Sequence, residues 1–294
     1  MKKILRVCFS PTYQRSVIFD SFGIDRVNRS RRYSLYASGK AVNSARVLNQ
    51  LEKDCALTVC PLGQENAEEF ITLAEQDKLN LSHIFVPGKI RECWTLLDTS
   101  AGTTTELVVG ETPQTCENAD IKMLRLITEK LEDCSALLLS GSRQGLWPDD
   151  FYADICGIAR DEGKTVLADF TGRDLVSTIT RATPDIIKIN ADEYHATFGE
   201  PANKETISLK RSELGNIIVV TRGAESTLAA QKGVFYECPV QKVEVVNTIA
   251  CGDSFNSGFL YEYLNSCDIQ KALEKGTWCA AQNAKSIVPG TILP

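Results

Sequence analysis

The segment NTIACGDSFNSGFL, residues 247–260, holds the residues best suited to chemistry. Gly252 and Asp253 open a stretch with helical character, and the small residues Ala250 and Cys251 come just before them. A helix that begins near Asp253 would offer free backbone N–H groups and the positive end of its dipole to an anion such as phosphate. The aspartate could also accept a proton from a hydroxyl that attacks a phosphoryl group. Taken alone, the motif is equally compatible with Asp253 as an ordinary N-cap.

Three other segments place polar residues beside the end of a predicted strand. SGKAVNSARVLNQL, residues 38–51, puts Gly39 and Lys40 before an amphipathic helix. KINADEY, residues 188–194, has an N-x-x-E spacing, and VVTRGAESTL, residues 219–228, has a Thr-x-Gly turn. Open parallel sheets bind ligands at the carboxyl ends of their strands. The sequence therefore predicts that these segments and residues 247–260 form one site.

Apolar segments that alternate with amphipathic helices must position these residues. The segments with strand character are residues 55–60, 135–140, 164–169, 185–190 and 216–221. This alternation predicts an α/β fold with a mostly parallel sheet that helices cover on both faces. Residues 13–37 and 88–112 instead have the polar–apolar alternation of β-hairpins. They are expected to join into one small sheet, which would serve as a lid or a dimer surface.

Composition excludes several classes of function. The chain has 294 residues and a net charge of −6, which disfavours a nucleic-acid partner or an anionic membrane surface. No apolar run approaches the roughly 18 residues needed to span a bilayer. Its 11 cysteines are widely spaced without a C-x-x-C, which predicts buried thiols in a reducing cytoplasm. With only two histidines, His83 and His195, metal ligation by histidine is not expected.

The ordered set of segments resembles the ribokinase-like sugar kinases of the phosphofructokinase B type, most closely the 1-phosphofructokinase and tagatose-6-phosphate kinase branch. NTIACGDSFNSGFL is similar to the family's Asn/Asp-Thr-x-Gly-Ala-Gly-Asp-Ser-Phe, and SGKAVNSARVL to its Gly-Gly-Lys-Gly-x-Asn-x-Ala-Arg-Val-Leu. SPTYQRS, residues 10–16, resembles its Asn-Pro-Ala-x-Asp. The likeness implies a single ribokinase-like kinase domain over residues 1–294, with a three-layer α/β/α core and a small β-sheet lid. It also implies transfer of the ATP γ-phosphate to a sugar hydroxyl.

The resemblance implies a role for each matching residue. Asp253 would be the base, and the backbone of Ala250, Cys251 and Gly252 would hold the transferring phosphoryl group. The residues implied at the nucleotide are Lys188, Asn190, Glu193, Thr221, Gly223 and Asn283, of which Asn190 and Glu193 would organise Mg²⁺ through water. The residues implied at the sugar phosphate are Gln14, Gly39, Lys40, Asn43 and Arg91, of which Lys40 and Arg91 would meet its phosphate. A bound K⁺ and a homodimer through the lid are left open.

Several positions depart from the family pattern. Gln14 replaces an aspartate that binds sugar hydroxyls, and an amide lacks the charge that strengthens such bonds. Ser38 and Ala41 replace glycines in the sugar-binding loop, and Arg143 and Gln144 replace Leu-Pro. Ala250 also replaces a glycine, which would cost about 1 kcal/mol if φ is positive there. Cys251 replaces an alanine, either as a small filler or as a thiol with a lowered pKa.

Two hypotheses follow from these observations. The first is an active ATP-dependent kinase that acts on a sugar phosphate of the fructose 1-phosphate or tagatose 6-phosphate type. The second is a catalytically weak homologue that binds sugar phosphate or nucleotide as a sensor or regulator, which the departures at Gln14, Ser38, Ala41 and Ala250 motivate. A nucleoside or another substrate without a phosphate is a more distant option, against which Lys40 and Arg91 argue.

Overall fold

The computed structural model of the chain describes residues 2–109, 116–143 and 145–293. Its strands are β1 (Ile4–Val7), β2 (Thr12–Phe19), β3 (Arg32–Ser38), β4 (Ala56–Gly63), β5 (Leu81–Val86), β6 (Arg91–Asp98), β7 (Thr103–Val109), β8 (Ala136–Ser140), β9 (Thr165–Asp169), β10 (Ile186–Asn190), β11 (Ile217–Thr221), β12 (Thr227–Gln231) and β13 (Val234–Cys238). Its helices are α1 (Lys40–Leu51), α2 (Ala67–Gln76), α3 (Ala119–Leu131), α4 (Phe151–Asp161), α5 (Gly172–Ala182), α6 (Ala191–Phe198), α7 (Lys204–Leu214), α8 (Cys251–Ser266) and α9 (Ile269–Ala284).

The main sheet has nine strands in the order β13-β12-β11-β10-β9-β8-β1-β4-β5. All pairs from β11 to β5 are parallel, and β12 and β13 complete one edge as antiparallel strands. The apolar segments of the sequence account for this arrangement, because a strand buried on both faces needs a continuous apolar run. The carboxyl ends of the parallel strands therefore lie along one edge, where the polar segments follow them.

Helices cover both faces of this sheet, and each face has its own apolar core. On one face, Ile4 and Leu138 of the strands pack with residues of α1, α2, α8 and α9. On the other face, Leu5 and Leu137 pack with residues of α3 to α7. The odd and even positions of β1 thus separate between the two cores, as the two-residue repeat of a strand requires. The predicted three-layer α/β architecture is confirmed.

A second sheet of four strands, in the order β3-β2-β6-β7, is built from the two segments that were predicted to form hairpins. The outer pairs β2–β3 and β6–β7 are antiparallel hairpins, and the central pair β2–β6 is parallel, with Gln14 opposite Cys93. The prediction that the two segments join into one small sheet is therefore confirmed. Residues 110–112 of the second segment, and Gln144, lie outside the described residues.

The cysteines and the helices agree with the expectations from composition. All 11 cysteines are unpaired thiols, and most of them are buried. Among the helices of the described residues, none combines the length and the apolar character that crossing a bilayer requires.

Candidate active site

Helix α8 begins two residues before Asp253, so the aspartate is not the N-cap. Ala250 occupies that position with φ 64°, and no side chain caps the helix. The Asp253 side chain is instead bound from α1, because Asn43 Nδ2 donates to Asp253 Oδ2 at 2.9 Å. Burial raises the pKa of Asp253 above its ordinary value, although the Lys40 ammonium and the Asn43 amide oppose that shift. A carboxylate of raised pKa, fixed by a single amide, suits a general base better than a cap.

The start of α1 orients Asn43. Ser38 Oγ donates to Asn43 Oδ1 at 2.8 Å, which leaves the amide nitrogen directed at Asp253. Gly39 is the N-cap of α1 with φ 110°, and a Cβ there would lie 3.0 Å from the carbonyl oxygen of Ser10. Only glycine fits that backbone without strain. The serine that departs from the family pattern therefore takes part in holding the predicted base.

Two lysines meet a buried aspartate between the predicted sugar and nucleotide residues. Lys40 Nζ lies 2.9 Å from Asp169 Oδ2, and Lys188 Nζ lies 3.7 Å from Asp169 Oδ1. Burial alone would raise the pKa of Asp169, but Lys40 and Lys188 outweigh it and hold this pKa below its ordinary value. Burial would lower the pKa of Lys40, yet Asp169 and Asp253 raise it. Sequence reasoning did not assign Asp169 to the site, although its position at the end of an apolar strand was a usable signal.

A cleft of about 620 Å³ lies at the carboxyl ends of β10 and β11. Of the residues predicted at the nucleotide, those that line it are Lys188, Asn190, Thr221 and Gly223. Residues of the same cleft that sequence reasoning missed are Ala191, Asp192, Arg222, Glu225, Thr227, Val240, Phe255, Thr277 and Ala280. A Cβ on Gly252 would lie 3.3 Å from Lys188 Nζ, so the absence of a side chain keeps the lysine close to the helix start. The cleft combines a cation, free polar groups and a helix N-terminus, which suits a phosphate chain.

Asn190 and Glu193 form a capping box at the start of α6. Asn190 Oδ1 accepts from the Glu193 N–H, and Glu193 Oε2 accepts from the Asn190 N–H, both at 2.8 Å. Each side chain keeps acceptor capacity beyond that bond, because a carboxylate has a second oxygen and a carbonyl oxygen a second lone pair. Mg²⁺ prefers oxygen ligands and keeps several waters, so this donor set fits an ion held through water beside nucleotide phosphates.

The Asn283 side chain and the Cys251 N–H differ from their predicted roles. Asn283 does not line the nucleotide cleft: it is buried, donates to the carbonyl oxygen of Ile249 at 2.7 Å and accepts from the Gly290 N–H. It joins the loop before α8 to the C-terminal segment, and Thr277 and Ala280 take the position on α9 that faces the cleft. The Cys251 N–H is bonded to the Thr248 carbonyl oxygen, and burial raises the pKa of its thiol, as expected of a filler.

A second cleft, of about 360 Å³, lies between the small sheet and the start of α1. The residues predicted at the sugar phosphate all line it: Gln14, Gly39, Lys40, Asn43 and Arg91. Gln14 Nε2 donates to Thr95 Oγ1 at 2.7 Å, and Arg91 Nε donates to Thr12 Oγ1 at 2.8 Å. Sequence reasoning missed Thr12, Cys93, Glu106 and Val108, which project from the same face of the small sheet. Only the pairing register of the strands reveals that shared face.

Residues 250–253 divide between the two clefts. Ala250 and Asp253 line the smaller cleft, and Cys251 and Gly252 line the larger one. The first turn of α8 therefore lies where the two clefts meet. A group bound in one cleft would meet a group bound in the other beside the N–H groups and the carboxylate of this turn.

Solved structures with the same fold are carbohydrate kinases. Phosphofructokinase-2 from Escherichia coli, in complex with potassium, superposes with a TM-score of 0.86 at 15% identity, over 98% of this chain and 94% of that one. A protein described as a possible 1-phosphofructokinase from Thermotoga maritima gives 0.87 at 17% identity, over 97% and 92%. Ribokinase from Thermotoga maritima gives 0.76 at 21% identity, over 100% and 96%. At these identities the likeness establishes a ribokinase-like fold.

The sequence itself carries a family assignment. The model of the pfkB family carbohydrate kinases matches residues 8–294, which hold every strand and helix after β1 and all the residues that line the two clefts. The segments that resembled this family are those that line the clefts, and the fold is shared with its solved kinases. The chain therefore belongs to the pfkB family of carbohydrate kinases.

Proposed function

We propose that this kinase transfers the γ-phosphate of ATP to a hydroxyl of a sugar phosphate of the fructose 1-phosphate or tagatose 6-phosphate type. The observation that carries the proposal is the division of residues 250–253, with Asp253 in the smaller cleft and Gly252 in the larger one. A sugar in the smaller cleft and ATP in the larger one would meet at the first turn of α8. Within one domain, residues 1–294, the small sheet would act as the lid over the sugar.

Asp253 is the base of the proposed step. Its carboxylate accepts the proton of the sugar hydroxyl while that oxygen bonds to the γ-phosphorus and the bond from the γ-phosphorus to the ADP oxygen breaks. The N–H groups of Gly252 and Asp253 precede the first intrahelical bond, which the Ser254 N–H donates to the Ala250 carbonyl oxygen. They are therefore available to the charged phosphoryl group, together with Lys188. Asn190 and Glu193 would hold Mg²⁺ through water, and the ion would supply positive charge that neutralises the nucleotide phosphates.

A phosphate on the sugar is supported by Arg91. Lys40, the other candidate, is bound to Asp169, whereas Arg91 has a single bond to a threonine hydroxyl among the described residues. The guanidinium can therefore make bidentate contacts with a phosphate from the lid side of the cleft. Lys40 would stay between the carboxylates of Asp169 and Asp253, where it can neutralise charge near the transfer site.

A panel of substrates with an ADP-release assay tests the proposal. We expect turnover of Mg·ATP with fructose 1-phosphate, fructose 6-phosphate or tagatose 6-phosphate, and none with the same sugars without phosphate or with nucleosides. Asp253→Asn should lower kcat by about 10²- to 10⁴-fold, because the variant lacks the base. Glu262→Gln is the matched control, since it removes a carboxylate from the same helix far from its first turn. Full activity in Asp253→Asn would show that another group takes the proton.

The competing hypothesis, a weakly active sensor, makes an opposite prediction in the same panel. A thermal shift of several degrees with a sugar phosphate or ATP, and no ADP release with any acceptor, would favour the sensor over the kinase. The replacement of the family aspartate by Gln14 is the main observation on that side, because its amide is already committed to Thr95.

We propose three further properties of this kinase. A homodimer through the lid is supported by Leu107, Val108 and Val109, which are exposed on the edge strand β7, and sedimentation would measure the mass. A cytoplasmic location is supported by the 11 unpaired thiols. Nucleic acid is not an expected partner, because the chain has a net charge of −6. A monovalent cation such as K⁺ beside the loop before α8 would appear as activation of turnover by KCl over NaCl.

A further inference from the structure

Arg6 is a buried arginine of the main sheet, on a strand that pairs with β8 and β4. It lies on β1 between Ile4 and Cys8, on the face that packs against α8, and its side chain has no exposed surface. Its Nη1 donates to Ser257 Oγ at 3.5 Å, the long end of a hydrogen bond. Its Nε and Nη2 have no hydrogen-bond partner among the described residues. A charge that is desolvated this completely costs stability, so its presence calls for a functional reason.

Packing does not explain the residue. The neighbour of Arg6 in register on β4 is Thr58, whose buried Oγ1 is also without a partner in the part of the chain that the structure describes. A methionine or leucine would fill the same volume beside Ile4 and Cys8 without these unpaired nitrogens. The volume of the side chain therefore does not account for an arginine here, and its positive charge is what must be explained.

The Arg6 guanidinium lies between β1 and α8, close to the first turn of that helix. Ser257 Oγ, which accepts from Arg6, donates to the carbonyl oxygen of Asp253 at 2.8 Å and lies 3.1 Å from that of Ser44. Burial lowers the pKa of Arg6 to about 9, and Asp253 is the group that opposes this shift most strongly, ahead of Asp169. The guanidinium therefore stays charged at neutral pH.

We propose that Arg6 is a positioning residue for phosphoryl transfer: its buried guanidinium keeps the Asp253 carboxylate ionised and, through Ser257, fixes the first turn of α8. This inference rests on the proposed role of Asp253 as base. The other charged groups that face Asp253 are Lys40 from α1, Lys188 from β10 and Asp169 from β9. Lys40 and Lys188 line the clefts and are open to bound substrate, whereas nothing from solvent reaches Arg6.

The pH profile of kcat/KM separates this role from a structural one. Removing a positive charge near a carboxylate raises the pKa of the carboxylate, so the acidic limb of the profile moves to higher pH. In Arg6→Met we expect that limb to move up by about one pH unit, which lowers kcat/KM about tenfold on the limb. Arg6→Lys keeps a charge in place and should restore most of the parent profile. The melting temperature of Arg6→Met should equal or exceed that of the parent, because the unpaired charge is gone.

The outcomes distinguish this inference from the proposed function. If Asp253→Asn is inactive but the acidic limb of Arg6→Met coincides with that of the parent, the inference on Arg6 is overturned and the base assignment stands. If the parent chain releases no ADP with any acceptor, or Asp253→Asn is fully active, both are overturned. Should Arg6→Met fail to fold, Thr58→Asp tests the same charge, because a carboxylate beside Arg6 in register would neutralise it. That variant should move the limb in the same direction, and an unmoved limb would overturn the inference.

Discussion

The two clefts that meet at the first turn of α8 are built from different parts of the molecule. The residues that line the larger cleft come from the carboxyl ends of β10 and β11, from the start of β12, from α6, α8 and α9, and from the adjoining loops. The smaller cleft takes nearly half of its lining residues from the small sheet, among them Gln14, Arg91 and Glu106, and the rest from α1, α8 and the adjoining loops. One cleft is therefore fixed by the main sheet and its helices, and the other depends on how two sheets meet.

This difference accounts for most of the positions at which the chain departs from its family. Gln14, Ser38, Ala41 and Ala250 are at or beside the smaller cleft, whereas the larger one departs at Cys251 but keeps the N-x-x-E spacing and the Thr-x-Gly turn. A side chain on a lid strand can change without disturbing the main sheet, because the small sheet has its own pairing. Substrate preference can thus vary at one cleft while the phosphate donor at the other stays the same.

Arg91→Ala should affect only the sugar cleft, with the largest effect among the substitutions that separate the two clefts. The loss of a charge-assisted contact with phosphate costs about 1.5–3 kcal/mol, which corresponds to a rise of roughly ten- to a hundredfold in KM for the sugar phosphate. The KM for ATP should not change. Steady-state kinetics with each substrate varied in turn measures both. Arg15→Ala is the matched control, because Arg15 lies on the opposite face of the same sheet and pairs with Glu92. An equal rise in both KM values would contradict the separation of the clefts.

Glu193→Gln should affect only the nucleotide cleft. Glutamine can replace glutamate in a capping box, so the stability of α6 should be preserved, but the charge that organises Mg²⁺ is lost. We expect the Mg²⁺ concentration for half-maximal activity to rise about tenfold, with KM for the sugar phosphate unchanged.

A Mg²⁺ titration at saturating ATP measures that effect. Glu205→Gln provides the comparison, since Glu205 is the acidic residue in the first turn of the neighbouring helix α7 and takes no part in a capping box. If Glu193→Gln unfolds more readily and its Mg²⁺ requirement is unchanged, then Glu193 serves only as part of the helix cap.

Sequence periodicity predicted the fold because it reports which face of an element is buried. The apolar runs at 135–140 and 216–221 became central strands, and the two alternating segments met in one small sheet. The residues that follow strand ends could be placed in one site for the same reason, since parallel strands bring their carboxyl ends to one edge.

Contacts between distant side chains could not be predicted in that way. Lys40 and Asp169 are separated by 129 positions, and no local pattern indicates that they pair. Asn283 lies on the apolar side of α9, where its amide bonds both the loop before α8 and the C-terminal segment. Arg6 sits at an inward position of a short strand, where the repeat predicts an apolar residue. Each of these placements depends on which distant residues the fold brings into contact with the side chain, and the sequence of one element does not contain that information.

Ala250→Gly should produce the smallest effect, and it concerns the turn that both clefts share. Ala250 has φ 64°, a conformation that costs a residue with a Cβ roughly 1–2 kcal/mol, whereas glycine adopts it freely. Glycine also increases the entropy of the unfolded chain, which offsets about 0.4–1 kcal/mol. We expect the free energy of unfolding to rise by up to about 1 kcal/mol in urea denaturation. The kcat should change less than about twofold, because the N–H groups of the turn are unchanged.

Ala196→Gly provides the control of opposite sign, because Ala196 is exposed in the middle of α6. The same substitution at an ordinary helical φ should lower the free energy of unfolding by about 1 kcal/mol. Equal losses at the two positions would mean that the positive φ of Ala250 imposes no strain. A large gain in kcat for Ala250→Gly would instead show that the methyl group of Ala250, which lines the smaller cleft, obstructs the reacting groups.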